Sequence, residues 1–161
     1  MFVISGNFDA LKKRQLDSII SSFESKGYRI EHIGEDFDID NPFLPDLCFF
    51  VGYDFKDPEV YKDNDNIALY YNEDPKGNTK AGKFLKTLKK DYFSFVLPDQ
   101  PWELKKVVAQ FLDQELKRRK MSFNGGDQVK SFFLEKINYD PGILLFELDK
   151  FQRITTIVEP Q

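Results

Sequence analysis

The sequence predicts an α/β domain built on a five-stranded, mainly parallel sheet with helices on both faces. Three observations predict it. Short runs rich in β-branched and aromatic residues, at 2–4, 47–51, 67–71 and 92–97, have the length and composition of strands. Between and after them lie stretches with helical spacing, clearest at Leu104, Val107, Val108, Phe111, Leu112 and Leu116. The two kinds alternate through residue 120, an order that calls for right-handed crossovers and a parallel sheet.

The first strand, Phe2-Val3-Ile4, stops at Ser5-Gly6-Asn7. Leu16, Ile19, Ile20 and Phe23 then repeat as one helix face, with Asn7 or Asp9 as a cap and Gly27 suited to the left-handed position past the last turn. Residues 28–33 alternate apolar and polar, the pattern of an edge strand. Residues 35–45 contain Pro42 and Pro45 and no period, so they read as an acidic loop. Leu47-Cys48-Phe49-Phe50-Val51 is uniformly apolar, as in a central strand covered on both faces.

Asp57-Pro58-Glu59-Val60-Tyr61 suits one or two helical turns, and residues 67–71 form the next strand. Phe84, Leu85 and Leu88 give a short helix its buried stripe before the strand at 92–97. The helix from Pro101 to Lys120 has Glu103 in its first turn and a basic cluster at 117–120 in its last, each complementing the helix dipole.

Beyond Lys120 the texture changes. Asn124-Gly125-Gly126 breaks the chain, and residues 129–137 admit either a short helix or a strand. Two apolar runs, 143–148 and 153–158, flank Asp149-Lys150-Phe151-Gln152 in the manner of a β-hairpin. The expected organisation is an α/β domain over 1–120 and an extension over 121–161. The hairpin of that extension docks on the domain or pairs with a second copy, giving a homodimer.

A chain of 161 residues buries a core without metal or disulfide support. Cys48, the only cysteine, sits in an apolar run, which points to an inert thiol. With no signal-peptide pattern at the start, the expected compartment is cytoplasmic, and no apolar run suffices for a membrane span. The net charge of -4 argues against a general nucleic-acid coat. Between Glu35 and Asp65, Asp36, Asp38, Asp40, Asp46, Asp54, Asp57, Glu59 and Asp63 face only Lys56 and Lys62. Basic residues gather later, at Lys80, Lys83, Lys86, Lys89, Lys90 and 117–120, so the surface should be electrically two-sided.

Few residues have the pattern of a chemical site. Asp36, Asp38 and Asp40 open like a calcium loop, but Asn41 stands where the turn glycine belongs and Leu47 where the bidentate glutamate belongs, so no metal is expected. His32 is the only histidine and falls on the edge strand, and Cys48 lies mid-strand, so neither suggests a nucleophile pair. A single glycine at Ser5-Gly6-Asn7 is too few for a dinucleotide loop, and no cofactor is expected. Ser5 and Gly6 still offer a hydroxyl and an approachable N–H at the carboxyl edge of the sheet, enough for one phosphate. Lys80, Lys83, Lys86 and Lys90 are spaced to form a basic helix face that could add phosphate contacts.

Particular residues resemble those of two families. Phe2-Val3-Ile4-Ser5-Gly6, the helix carrying Arg14, Gly27, residues 72–80 with Lys83 and Leu88, and Trp102 resemble patches of the BRCT domain. That resemblance implies a Ser-Gly phosphate corner and a phosphate site of Ser5, Gly6 and Lys80, for a phosphorylated peptide or a nucleic-acid end. Lys26-Gly27-Tyr28-Arg29-Ile30, Pro45-Asp46-Leu47 and Asp91-Tyr92 ahead of Pro98 resemble receiver domains of response regulators. With Ser5 and Gly6 in the acidic-pair region and Val51 at the phospho-acceptor, that resemblance implies a degenerate, unphosphorylated regulatory domain. Both imply a flavodoxin-like sheet of order 2-1-3-4-5. The expected function is a non-enzymatic protein-interaction module. The alternative is a small-molecule enzyme using Ser5, Asn7, Tyr53, Asp54 and Asn72 at the sheet edge.

Overall fold

A computed structural model describes the backbone of residues 1–158 and the side chains of residues 1–154. The chain divides into two compact units, Met1–Val96 and Leu97–Gln161. The division falls ahead of the helix that opens at Pro101, which groups with the C-terminal residues and not, as the sequence suggested, with residues 1–120.

The first unit runs β1 (Phe2–Gly6), α1 (Asp9–Ser25), β2 (Arg29–Ile33), β3 (Cys48–Tyr53), a 3-10 turn (Pro58–Tyr61), β4 (Ile67–Tyr70), α2 (Lys80–Leu85) and β5 (Tyr92–Phe95). All four strand pairings are parallel. Strand alternation sorts the apolar side chains to two faces. Ile4, Phe49, Val51 and Ala68 meet Leu16 and Ile19 of α1. Val3, Phe50 and Leu69 meet Ala81 and Leu85 of α2 and Tyr61 of the 3-10 turn. The expected class, a five-stranded parallel sheet with helices on both faces, is therefore present.

The neighbours of β1 are not those expected. The order is β2-β3-β4-β1-β5, so β1 lies between β4 and β5, whereas the order 2-1-3-4-5 places it between β2 and β3. A strand buried on both faces reads the same in either position, so alternation could not choose between them. Gly6 carries the distinguishing feature. With φ at 110°, it lets the Phe95 carbonyl of β5 approach so closely that any Cβ would collide with it.

The second unit is α3 (Pro101–Arg119), α4 (Gly126–Lys136) and α5 (Pro141–Val158). The hairpin expected over 143–158 is instead the helix α5, and the strand edge through which a second copy was to pair is absent from the described residues. The side chains of 155–158, including Ile157, lie outside the described residues. The cause is local. Asp140 accepts hydrogen bonds from the Gly142 and Ile143 N–H groups at 2.8 and 3.1 Å, and Pro141 opens the helix. Leu144 and Leu148, four apart, are then both fully buried.

Charged pairs join the three helices. Lys130 of α4 reaches Asp113 of α3 at 3.0 Å. Arg119 of α3 lies 3.2 Å from the fully buried Glu115 and 2.6 Å from Asp149 of α5.

Candidate functional site

In a parallel sheet every strand delivers its following loop to one edge. Here α1 after β1 and α2 after the adjacent β4 leave on opposite faces, the arrangement that opens a crevice at the carboxyl ends. A cavity of about 720 Å³ lies there, floored by Phe55, Tyr71 and Ala81 and rimmed by Asp54, Asp74 and Lys80.

The polar groups of this edge are bound to one another. Asp54, in the left-handed region at φ 55°, accepts from both the backbone N–H and the side-chain amide of Asn72, at 2.8 and 2.7 Å. Tyr71 donates its hydroxyl to the Phe55 carbonyl at 2.7 Å. Burial pushes its phenol far above the ordinary tyrosine range, and the charges of Glu35 and Asp54 and the Tyr92 phenol push the same way, so Tyr71 acts here as a fixed donor. Lys12 is fully buried. Its ammonium donates to the Tyr71 and Asn72 carbonyls at 2.9 and 3.0 Å and lies 3.2 Å from Asp9, tying α1 to the end of β4.

The predicted phosphate residues each have another partner. Ser5 is buried and its hydroxyl lies 3.0 Å from that of Tyr92. The Gly6 N–H donates to the Asp74 carboxylate at 2.6 Å, so an anion of the chain itself holds the place assigned to phosphate. Lys80 lines the same cavity as Asp74, with its ammonium 3.8 Å from Asp57. The expected basic face is also broken up. α2 has six residues and ends before Lys86, Lys90 follows it outside the helix, and Lys80 and Lys83 share their surface with Asp57 and Glu59. Of the residues suggested for an enzyme, Asp54 and Asn72 are bonded to each other, and Tyr53 points to the other face with His32.

The second unit holds an apolar groove of about 610 Å³ within itself. Its base is a cluster of three phenylalanine rings, Phe123, Phe133 and Phe151, with centroids 5.3 to 6.4 Å apart and edges turned to faces or tilted. Gly125 and Gly126, both at positive φ, bend the chain sharply into α4 and set Phe123 beside Phe133. Phe132, 61% exposed, and Ile143 stand on the walls. Lys136 and Glu147 are the charged groups of the lining. Glu147 is paired with Lys150 at 3.0 Å, whereas the Lys136 ammonium sits 5.3 Å from the Phe132 ring centre and meets no carboxylate among the described residues.

Sequence reading overlooked Lys12, Asp74 and this groove. Lys12 was detectable, because it falls on the Leu16, Ile19 and Phe23 stripe, where a lysine must be buried or break the pattern. Comparison with family models, with curated proteins and with solved structures gives no match.

Proposed function

We propose that the chain is a non-enzymatic protein-interaction module that seats the apolar face of a partner's amphipathic helix in the groove of α4 and α5. The observation behind this reading is the phenylalanine-floored trough with Phe132 and Ile143 left in solvent. Contiguous apolar surface of this kind marks interaction sites on folded proteins. Its volume accommodates a few apolar anchors at helical spacing. The unneutralised charge on the rim is the Lys136 ammonium, so the fitting helix carries an acidic residue beside its anchors.

Phosphate recognition by Ser5, Gly6 and Lys80, which the BRCT resemblance implies, requires Asp74 to leave the Gly6 N–H and Lys80 to leave Asp57. Those bonds favour the groove as the recognition surface.

The test uses the full chain and two fluorescent peptides of about four helical turns. Both carry leucine anchors one turn apart, one flanked by glutamates and the other by lysines. The acidic peptide should bind more tightly, and Phe132→Glu should weaken it by about tenfold or more, as expected for an aromatic anchor. Equal binding of the two peptides, or binding indifferent to Phe132→Glu, overturns the reading.

A further inference from the structure

Three aromatic side chains on adjacent strands of the first unit form a ladder, exposed at His32 and Tyr53 and half-buried at Tyr70, on the face that also carries α1. Tyr53 of β3 and Tyr70 of β4 are register partners. His32 of β2 pairs with Val51, two residues before Tyr53, so alternation sends its ring to the same side. The His32 and Tyr53 rings stack with centroids 6.0 Å apart, and their polar atoms Nδ1 and Oη are 3.2 Å apart. Tyr53 and Tyr70 follow at 5.8 Å. Tyr53 is 42% exposed and His32 is exposed.

The surroundings of the ladder are acidic. Burial first, and then the charge of Asp17, raises the Tyr53 phenol above its ordinary value. Burial, Asp9, the neighbouring Tyr53 phenol, Asp17 and Asp54 do the same to Tyr70, so three carboxylates project negative potential onto the rings. The acidic loops after β2 and β3 pack on the opposite face through Ile39, Leu44 and Tyr61, so the carboxylates of the ladder are these three. One cation already occupies such a setting within the fold. The Lys12 ammonium lies 5.0 Å from the Tyr70 ring centre and 3.2 Å from Asp9.

From this geometry we infer a second binding surface, distinct from the helical groove: the His32–Tyr53–Tyr70 ladder, with Asp9, Asp17 and Asp54 around it, receives an arginine side chain from a basic segment of a protein partner. A guanidinium is planar, stacks on rings and pairs with carboxylates, so it fits this mixture better than an ammonium. The same acidity repels a phosphate backbone, which makes nucleic acid the wrong partner for these rings.

The experiment titrates the full chain with a glycine-spaced arginine peptide, its citrulline counterpart and a single-stranded oligonucleotide. Changes at the His32 and Tyr53 ring signals in NMR spectra report the site. The arginine peptide should bind, and citrulline, which keeps the shape and loses the charge, should bind about fivefold more weakly. Tyr53→Leu should lower arginine affinity by about as much with no change of net charge. Tyr53→Phe, which keeps the ring, should preserve it, and Asp17→Asn should weaken it. Phe132→Glu in the groove should leave arginine binding unchanged, so the two proposals fail separately. Binding equal in Tyr53→Leu and the parent chain would show attraction to the acidic loops alone and overturn the inference. So would a preference for the oligonucleotide, or an absence of ring shifts.

Discussion

The two units satisfy their side chains in different ways. In the first, rings gather against α1: Phe49 lies 4.0 Å from Phe23 in a stacked pair, and Phe2 and Tyr28 meet Phe23 edge-on. Its exposed apolar residues, such as Phe43 and Val60, are scattered over loops. In the second, Phe132, Ile143 and Phe151 line one groove on α4 and α5, and Phe146 and Ile154 are also exposed on α5. The sheet closes its core by alternation, because every strand has two faces and helices cover both. Three helices without a sheet have fewer layers with which to cover their stripes. Their remaining apolar surface is what a partner helix can use, while the first unit offers rings framed by charge.

The largest expected effect breaks this comparison from the helical side. Glu115 is fully buried and its close partner is Arg119, which also holds Asp149 of α5. Arg119→Ala removes the closest partner of that carboxylate and leaves it Arg118 at 3.8 Å, at a cost of about 1.5 to 3 kcal/mol. Hydrogen exchange should then show α3 and α5 amides losing protection while β1, β3 and β4 keep theirs. Uniform loss across both units would mean that the two are not separate in stability.

A smaller effect separates the units by pH. The folded unit holds the Tyr71 phenol well above its ordinary value, chiefly by burial, so the folded state retains a proton that the unfolded chain releases near pH 10. A raised acid of this kind contributes stability that is complete below the unfolded pKa and declines as pH rises beyond it. The first unit should therefore lose stability above about pH 10. Tyr71→Phe should flatten that decline while costing about 1 kcal/mol at neutral pH, since the Phe55 carbonyl loses its donor. The decline will not vanish, because Tyr53, Tyr61 and Tyr70 are also raised. Denaturant midpoints measured from pH 7 upward, followed at the strand signals, would show an unchanged slope in Tyr71→Phe if the phenol were not buried.

The strands and α1 were legible because burial on both faces writes itself as uninterrupted apolar runs, and burial on one side as a helical stripe. The order of strands was not, since Val3 and Ile4 are equally buried between any two neighbours. The partners of the anion corner were hidden for a related reason. Ser5-Gly6 has the right residues, but the groups that meet them, Tyr92 and Asp74, lie 87 and 68 positions away and carry no local mark. The groove fell in residues 129–137, where helix and strand patterns overlap, and in residues 143–148, where a run of apolar residues hid a period of four.

The smallest predicted effect bears on that last misreading. Residues 143–148 are apolar enough to suit a strand, and the helix is chosen by what precedes them: Asp140 caps two N–H groups and Pro141 has none to cap. If capping selects α5, Asp140→Ala should cost about 1 kcal/mol and Asp140→Asn, which retains the acceptor oxygen, markedly less. Both variants leave the Leu144 and Leu148 positions untouched, so the loss should appear as fraying of the first turn of α5, measured by exchange at the Leu144 and Leu145 amides. Because Ile143 stands on the groove wall in that first turn, the same fraying should weaken the acidic peptide while leaving arginine binding at the ladder unchanged. If Asp140→Ala leaves both exchange and peptide binding unaltered, the helix is selected by packing of Leu144 and Leu148 alone, and the cap is incidental.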